Sequence, residues 1–115
     1  MGTVTQEMQD AWMDEALRRT SFAHSRRVVC RKTSEEMSGE SGKADVVFID
    51  ADHSYDACRN DMMLWWPKVK PGGIFCGHDY NENHPGVVKA VDEWFGDREW
   101  FVSVAEGSIW WTTKP

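Results

Sequence analysis

The sequence predicts an α/β fold built on a mainly parallel sheet that closes with a C-terminal antiparallel hairpin. Three observations carry this. Val46-Val-Phe-Ile49 is an unbroken β-branched and aromatic run, which reads as a strand buried on both faces of a parallel sheet. Ile74-Phe-Cys76 reads as a second strand, launched by the turn Pro71-Gly72-Gly73. One helix-length stretch separates them, and strand–helix–strand makes a unit whose two strand ends point the same way. Ligands of open α/β sheets bind beyond those carboxyl ends. Asp50, Asp52, His53, His78 and Asp79 gather there.

The remaining elements follow in order. Thr3 with Gln6 resembles a capping box, and the spacing of Met8, Trp12, Met13, Ala16 and Leu17 predicts a helix over Thr5–Arg19. Arg26–Arg31 reads as a short strand, Thr33–Met37 as one helical turn, and Ser38–Lys43 as a loop. A strand over Asp45–Asp50 comes next. Ser54 then caps a helix that runs to Trp66, buries Tyr55, Cys58, Met62 and Trp65, and ends at Pro67. Pro85 suits a first helical turn and Gly96 a C-terminal cap, with Val87, Val88, Val91, Trp94 and Phe95 as the buried stripe. Trp100–Val104 and Ser108–Thr112 form a hairpin around Glu106-Gly107.

The 115 residues suffice for a single domain over 1–115, and a hydrophobic content of 41% argues against disorder. The seven Trp read as core or interface anchors. A net charge of −6 argues against a nucleic-acid backbone as partner but not against a metal ion or a small cation. Cys30, Cys58 and Cys76 include no C-x-x-C pair, which fits reduced thiols and a cytoplasmic location better than disulfides or structural zinc. Neither a membrane span nor a signal peptide is expected.

Two carboxylates and an imidazole at neighbouring strand ends, about 5 Å apart, suit a divalent ion such as Mg²⁺, Mn²⁺ or Zn²⁺ held by Asp50, His78 and Asp79. His78 alternatively serves as a general base. The same groups also suit a structural role, hydrogen-bonding exposed backbone at the sheet edge. An acidic residue at a helix start is favoured by the helix dipole in any case, which gives Asp52 a structural reading. His24 and His84 read as solvated loop residues.

The run D-V-V-F-I-D-A-D-H-S-Y, a helix, K-P-G-G-I-F-C-G-H-D-Y and then G-V-V-K-A-V-D-E-W-F resembles the class I S-adenosylmethionine-dependent methyltransferases. The likeness is to the small-molecule branch whose fourth strand ends in D-x-D-H-S-Y and whose fifth ends in G-H-D-Y. It covers Arg26 to the C-terminus. The resemblance implies a truncated Rossmann-like methyltransferase sheet, the cofactor S-adenosyl-L-methionine and a small-molecule methyl acceptor. It places Ser34 and Glu35 near the adenine ring, and Asp50, Asp52 and His53 beside the cofactor. In cation-dependent relatives, positions matching Asp50, His78 and Asp79 hold Mg²⁺ or a similar ion. Relatives usually carry Asp-Asn where this chain has His78-Asp79, which raises His78, with Asp50, as catalytic candidates.

The family's Gly-rich loop and ribose-binding acidic residue do not appear in the sequence, so the expectation is that the chain corresponds to the back portion of the fold. The strand expected at Arg26–Arg31 then lacks its family neighbours, and a homodimer is expected to supply the missing burial. Two other readings stand beside methyl transfer. One is a non-catalytic or fragmentary methyltransferase-like domain. The other is a haloacid-dehalogenase-type phosphohydrolase, with Asp50 as nucleophile and Asp52 as acid/base in the D-x-D start.

Overall fold

The computed structural model describes residues 4–26, 28, 33–50, 52–98, 102–106 and 108–115. They fall into two compact units, Met1–Arg31 and Lys32–Pro115.

The first unit is a helix, α1 (Gln6–Arg19), followed by a 3-10 helix over Ser21–Arg26. The cap is Thr5 rather than Thr3: its hydroxyl accepts from the Met8 N–H at 3.1 Å. Gln6 turns forward to Asp10 at 2.9 Å instead of closing a capping box. Thr3 itself lies outside the described residues. The strand expected at Arg26–Arg31 begins inside the 3-10 helix, and residues 27 and 29–31 lie outside the described set.

The second unit opens with α2 (Ser34–Glu40), capped by Thr33, whose hydroxyl accepts from the Glu36 N–H. This helix reaches beyond the expected single turn and takes in the first residues of the expected loop. Within it the Ser38 hydroxyl donates to the Glu35 carbonyl at 3.0 Å, and Ser38 is buried. Then follow β1 (Ala44–Ile49), α3 (Tyr55–Trp65), a 3-10 turn at Trp66–Lys68, β2 (Val69–Gly77), α4 (Pro85–Arg98), β3 (Ser103–Ala105) and β4 (Ile109–Thr113). As expected, Ser54 caps α3, accepting from the Ala57 N–H. The 3-10 turn containing Pro67 follows directly.

The sheet order is β1-β2-β4-β3. The pair β1 and β2 is parallel, with Val46 opposite Ile74, Val47 opposite Phe75 and Phe48 opposite Cys76. The pairs β2–β4 and β4–β3 are antiparallel and close the C-terminal hairpin. The second strand starts earlier than the sequence suggested. Pro71-Gly72-Gly73 does not launch it but sits inside it as a bulge, where β1 advances from Ala44 to Val46 while β2 advances from Val69 to Ile74. Gly72 takes a φ of 82°, which needs a glycine. Its N–H donates to the Lys114 carbonyl at 2.8 Å, tying down the end of β4.

α3 and α4 cover one face of this sheet. Cys58 and Met62 from α3 meet Val87, Ala90, Val91, Trp94 and Phe95 from α4, over Val69, Phe75 and Trp110. Phe75 and Phe95 meet the Trp110 indole edge-on at 5.3 and 5.9 Å, each such pair worth about 0.5–1.5 kcal/mol beyond burial. The expectation that β1 is buried on both faces does not hold. Val47 and Ile49 turn toward the helices, whereas Val46 and Phe48 are 55% and 50% exposed. Gly96 is not a cap either: α4 continues to Arg98, whose guanidinium donates back to the Trp94 carbonyl and lies over its ring.

Candidate functional site

Because β1 and β2 are parallel and in register, Ile49 lies opposite Gly77. The residues that follow therefore emerge side by side, joined by the His78 N–H donating to the Ile49 carbonyl at 3.1 Å. Gly77 is required here, since a Cβ would lie 2.6 Å from the Trp110 indole. Its absence lets the end of β2 lie flat on the core.

Asp79 is the hub of what emerges. Its Oδ2 lies 2.6 Å from His53 Nε2, and its Oδ1 lies 3.2 Å from His78 Nδ1 and 3.6 Å from His84 Nε2. Asp50 Oδ1 lies 3.6 Å from the same His78 nitrogen. The Asp79 side chain is only 13% exposed, against 47% for Asp50. Asp79 also holds a φ of 63°, a left-handed conformation that costs about 1 kcal/mol but that a short polar side chain tolerates better than most.

Two backbone features aim the histidines. The Ser54 N–H donates to Asp52 Oδ1 at 2.8 Å, making a tight bend in which His53 sits. This hydrogen bond, with a smaller share from the Ser54 hydroxyl, holds the exposed Asp52 carboxyl below the usual range. Asp52 thus organises the start of α3. His84 immediately precedes α4, and its carbonyl accepts from Val87 and Val88. Gly86 lets that helix end approach the bend, since a Cβ there would lie 2.7 Å from the Tyr55 nitrogen and 3.0 Å from the His53 carbonyl oxygen. The His53 and His84 rings consequently sit with centroids 4.2 Å apart. His84, 28% exposed at its side chain, is thus no solvated loop residue. The signal in the sequence was His84-Pro85-Gly86, in which a small residue opens a helix beside a ring.

The two motif tyrosines brace the site rather than enter it. Tyr55 donates its hydroxyl to Glu93, and Tyr80 donates to Asp92 at 2.6 Å. The Asp92 bond, with burial, pushes the Tyr80 phenol up to about 12. The Asp92-Glu93 pair of α4 therefore clamps both strand-end segments onto one helix.

A cleft of about 380 Å³ beside β1, the first strand of the sheet order, is lined by Ser34, Val46, Phe48, Asp50, Asp61 and Trp65. Its size falls within the range of small-molecule sites. Asp61 was not singled out in the sequence, where it reads as one more polar residue of α3. Burial raises its carboxyl above the usual range, opposed by a hydrogen bond from Ser34. Glu35 stands exposed in the first turn of α2, outside this lining.

The donor atoms of Asp50, His78 and Asp79 lie within 4.8 Å of one another, as do those of His53, Asp79 and His84. The first set, with two carboxylates and one imidazole, fits a hard or borderline divalent ion. Trp65 gives the cleft an aromatic side chain, and Ser34, Asp50 and Asp61 give it polar ones.

Residues 3–80 match the family model described as a methyltransferase domain. A 55-residue stretch is 36% identical to an uncharacterized protein of Acanthamoeba polyphaga mimivirus, covering 46% of this chain and 25% of that one. Among solved structures, the fold is similar to the O-methyltransferase NovP, with a TM-score of 0.49 and 20% identity over 61% of this chain and 30% of that one. The chain thus spans about a quarter of the length of its curated relative.

Proposed function

The chain belongs to the methyltransferase domain family, as its match over residues 3–80 shows, and on that premise we propose that its strand ends serve methyl transfer from S-adenosyl-L-methionine to an oxygen or nitrogen of a small molecule. The observation that carries this reading is the convergence of Asp50, His78 and Asp79 beside the cleft. Asp50 belongs to both the metal-type cluster and the cleft wall, so a ligand in the cleft meets the chemistry at that residue. No observation favours the phosphohydrolase reading.

Bound S-adenosylmethionine supplies an electrophilic methyl group for in-line attack by an acceptor lone pair. The chain's own residues align the partners and manage one proton. Ser34 and Asp61 hold the adenosine side, with Trp65 as the apolar wall. Asp50, His78 and Asp79 would hold Mg²⁺ or Mn²⁺, which would orient the acceptor and lower its pKa. Without an ion there, His78 Nδ1, set between two carboxylates, is instead placed to take the proton as the acceptor is methylated. Much of the rate gain comes from this alignment.

The register puts Val46, Phe48, Ile74 and Trp111 on one face of the sheet, and all four are exposed. A homodimer that covers this face accounts for side chains otherwise unfavourable in water. The free, buried thiols of Cys58 and Cys76 support a reducing, cytoplasmic setting. Among the described residues no helix is long and apolar enough to cross a membrane.

The reading is tested by paramagnetic relaxation. With Mn²⁺ present, the chain should broaden the NMR signals of S-adenosylhomocysteine, and Asp50→Ala should abolish the effect. Unbroadened signals in the presence of bound ligand would separate the metal from the cofactor and sink the metal-assisted form of the proposal.

A further inference from the structure

We propose a second metal site, for a borderline transition ion such as Zn²⁺ or Co²⁺, formed by His53, Asp79 and His84. Two of its three ligands are absent from the Asp50–His78–Asp79 set, and the two sets share only the Asp79 carboxylate. Asp79 Oδ2 faces His53 at 2.6 Å, and Oδ1 lies 3.6 Å from His84 Nε2. All three donor atoms fall within 4.8 Å of one another.

The chemistry of the donors separates this set from the other. Two imidazoles and one carboxylate form a nitrogen-rich triad, which selects borderline ions over Mg²⁺. Zinc bonds of about 2.0–2.1 Å place tetrahedral donors roughly 3.3 Å apart. The His84–Asp79 spacing is already close to that value. His53 must retreat by a fraction of an ångström, and its 52% exposed side chain has room to do so. The same exposure leaves a coordination position open to water or a ligand atom.

The fold builds this triad from three separate devices. The Asp52–Ser54 hydrogen bond sets the bend that carries His53. The left-handed Asp79 turns the chain directly after His78. Gly86 lets the end of α4 touch the backbone at His53 and Tyr55, so that His84 reaches its partner ring. Neither solvation nor helix capping requires the two rings to converge on one carboxylate.

The test uses the full chain after dialysis against EDTA, titrated with Co²⁺. The wild type should develop visible d–d absorption, and Zn²⁺ should bleach it by displacement. Asp50→Asn, which removes the first set, should retain the absorption, and in that background His53→Gln and His84→Gln should each abolish it. Melting temperatures in EDTA should match the wild type, which shows that these variants fold. As a measurement independent of variants, Zn²⁺ should shift the imidazole NMR signals of both His53 and His84 in the wild type. No absorption in the wild type, absorption surviving both histidine changes, or loss in Asp50→Asn alone would overturn the proposal. The readout is metal binding rather than turnover, so its failure would leave the methyl-transfer reading untouched.

Discussion

Asp79 gathers three imidazoles about one carboxylate, in a backbone conformation that few residues accept. It was legible in the sequence as one of a strand-end group, because a parallel strand pair must deliver its ends to one place. Its partnership with His84 left only the signal of His84-Pro85-Gly86 in the sequence. That contact depends on a helix packing against a bend, and no spacing rule encodes it. The thiol of Cys58 shows a different consequence of local surroundings. Burial against the α4 side of the core pushes it from the ordinary 9.0 to about 11. The folded state therefore favours the neutral thiol. Its contribution to stability is complete below about pH 9 and is lost as pH rises toward about 11. Urea denaturation across that window should show wild-type stability falling more steeply than that of Cys58→Ala, whatever their offset at neutral pH. Parallel curves would show that the thiol ionises as freely in the fold as outside it.

At the level of elements, α4 is the organiser. Its Asp92 and Glu93 hold the motif tyrosines, and its first turn presses on the bend after β1. Two of its glycines should respond in opposite directions. Gly86→Ala inserts a Cβ against the Tyr55 nitrogen and His53 carbonyl, and overpacking on backbone should cost about 1–3 kcal/mol. Gly96→Ala meets nothing within 4 Å in the last turn of α4 and should stabilise by about 0.4–1 kcal/mol. Chemical denaturation of both variants checks the pair, and a neutral Gly86→Ala would mean that the helix end is free to move away. The helices α1, α3 and α4 were readable because amphipathic spacing, Ser54 and Pro85 all agreed. Gly96 misled because a glycine near a helix end serves as a stop only when the chain turns left-handed, and Arg98 instead continues the helix. The start of β2 was hidden because a Pro-Gly-Gly bulge and a Pro-Gly-Gly turn have the same composition.

For the whole molecule, the reading of β1 as buried on both faces exposes a limit of apolar runs. They report that a strand belongs against something apolar, not that the chain itself supplies both layers. Val46 and Phe48 stand open beside Ile74 and Trp111. Light scattering at micromolar concentration should therefore show a dimer, and Phe48→Lys should return it to a monomer. A wild-type monomer throughout that range would leave the open face without this explanation. The order of strand, acidic end, helix, strand and histidine–aspartate end was legible, because it depends on residue order and type alone. The cleft was only half legible: Ser34 and Asp50 stood out, whereas Asp61 and Trp65 acquire meaning only when α3 is laid against the edge of β1.

The central claim is that this strand-end site and its cleft accept the methyl donor's adenosine portion, and calorimetric titration with S-adenosylhomocysteine tests it most directly. The sequence holds no G-x-G-x-G run to wrap backbone around the methionine portion, so the affinity should be modest. The expected dissociation constant is about 0.1–1 mM, or roughly −4 to −5.5 kcal/mol, weakened at least about tenfold by Asp61→Ala, a loss of about 1.4 kcal/mol. Saturable heat in the wild type, reduced in that variant, is the predicted result. A wild-type chain that gives no binding heat at millimolar ligand, at two temperatures, would contradict the claim.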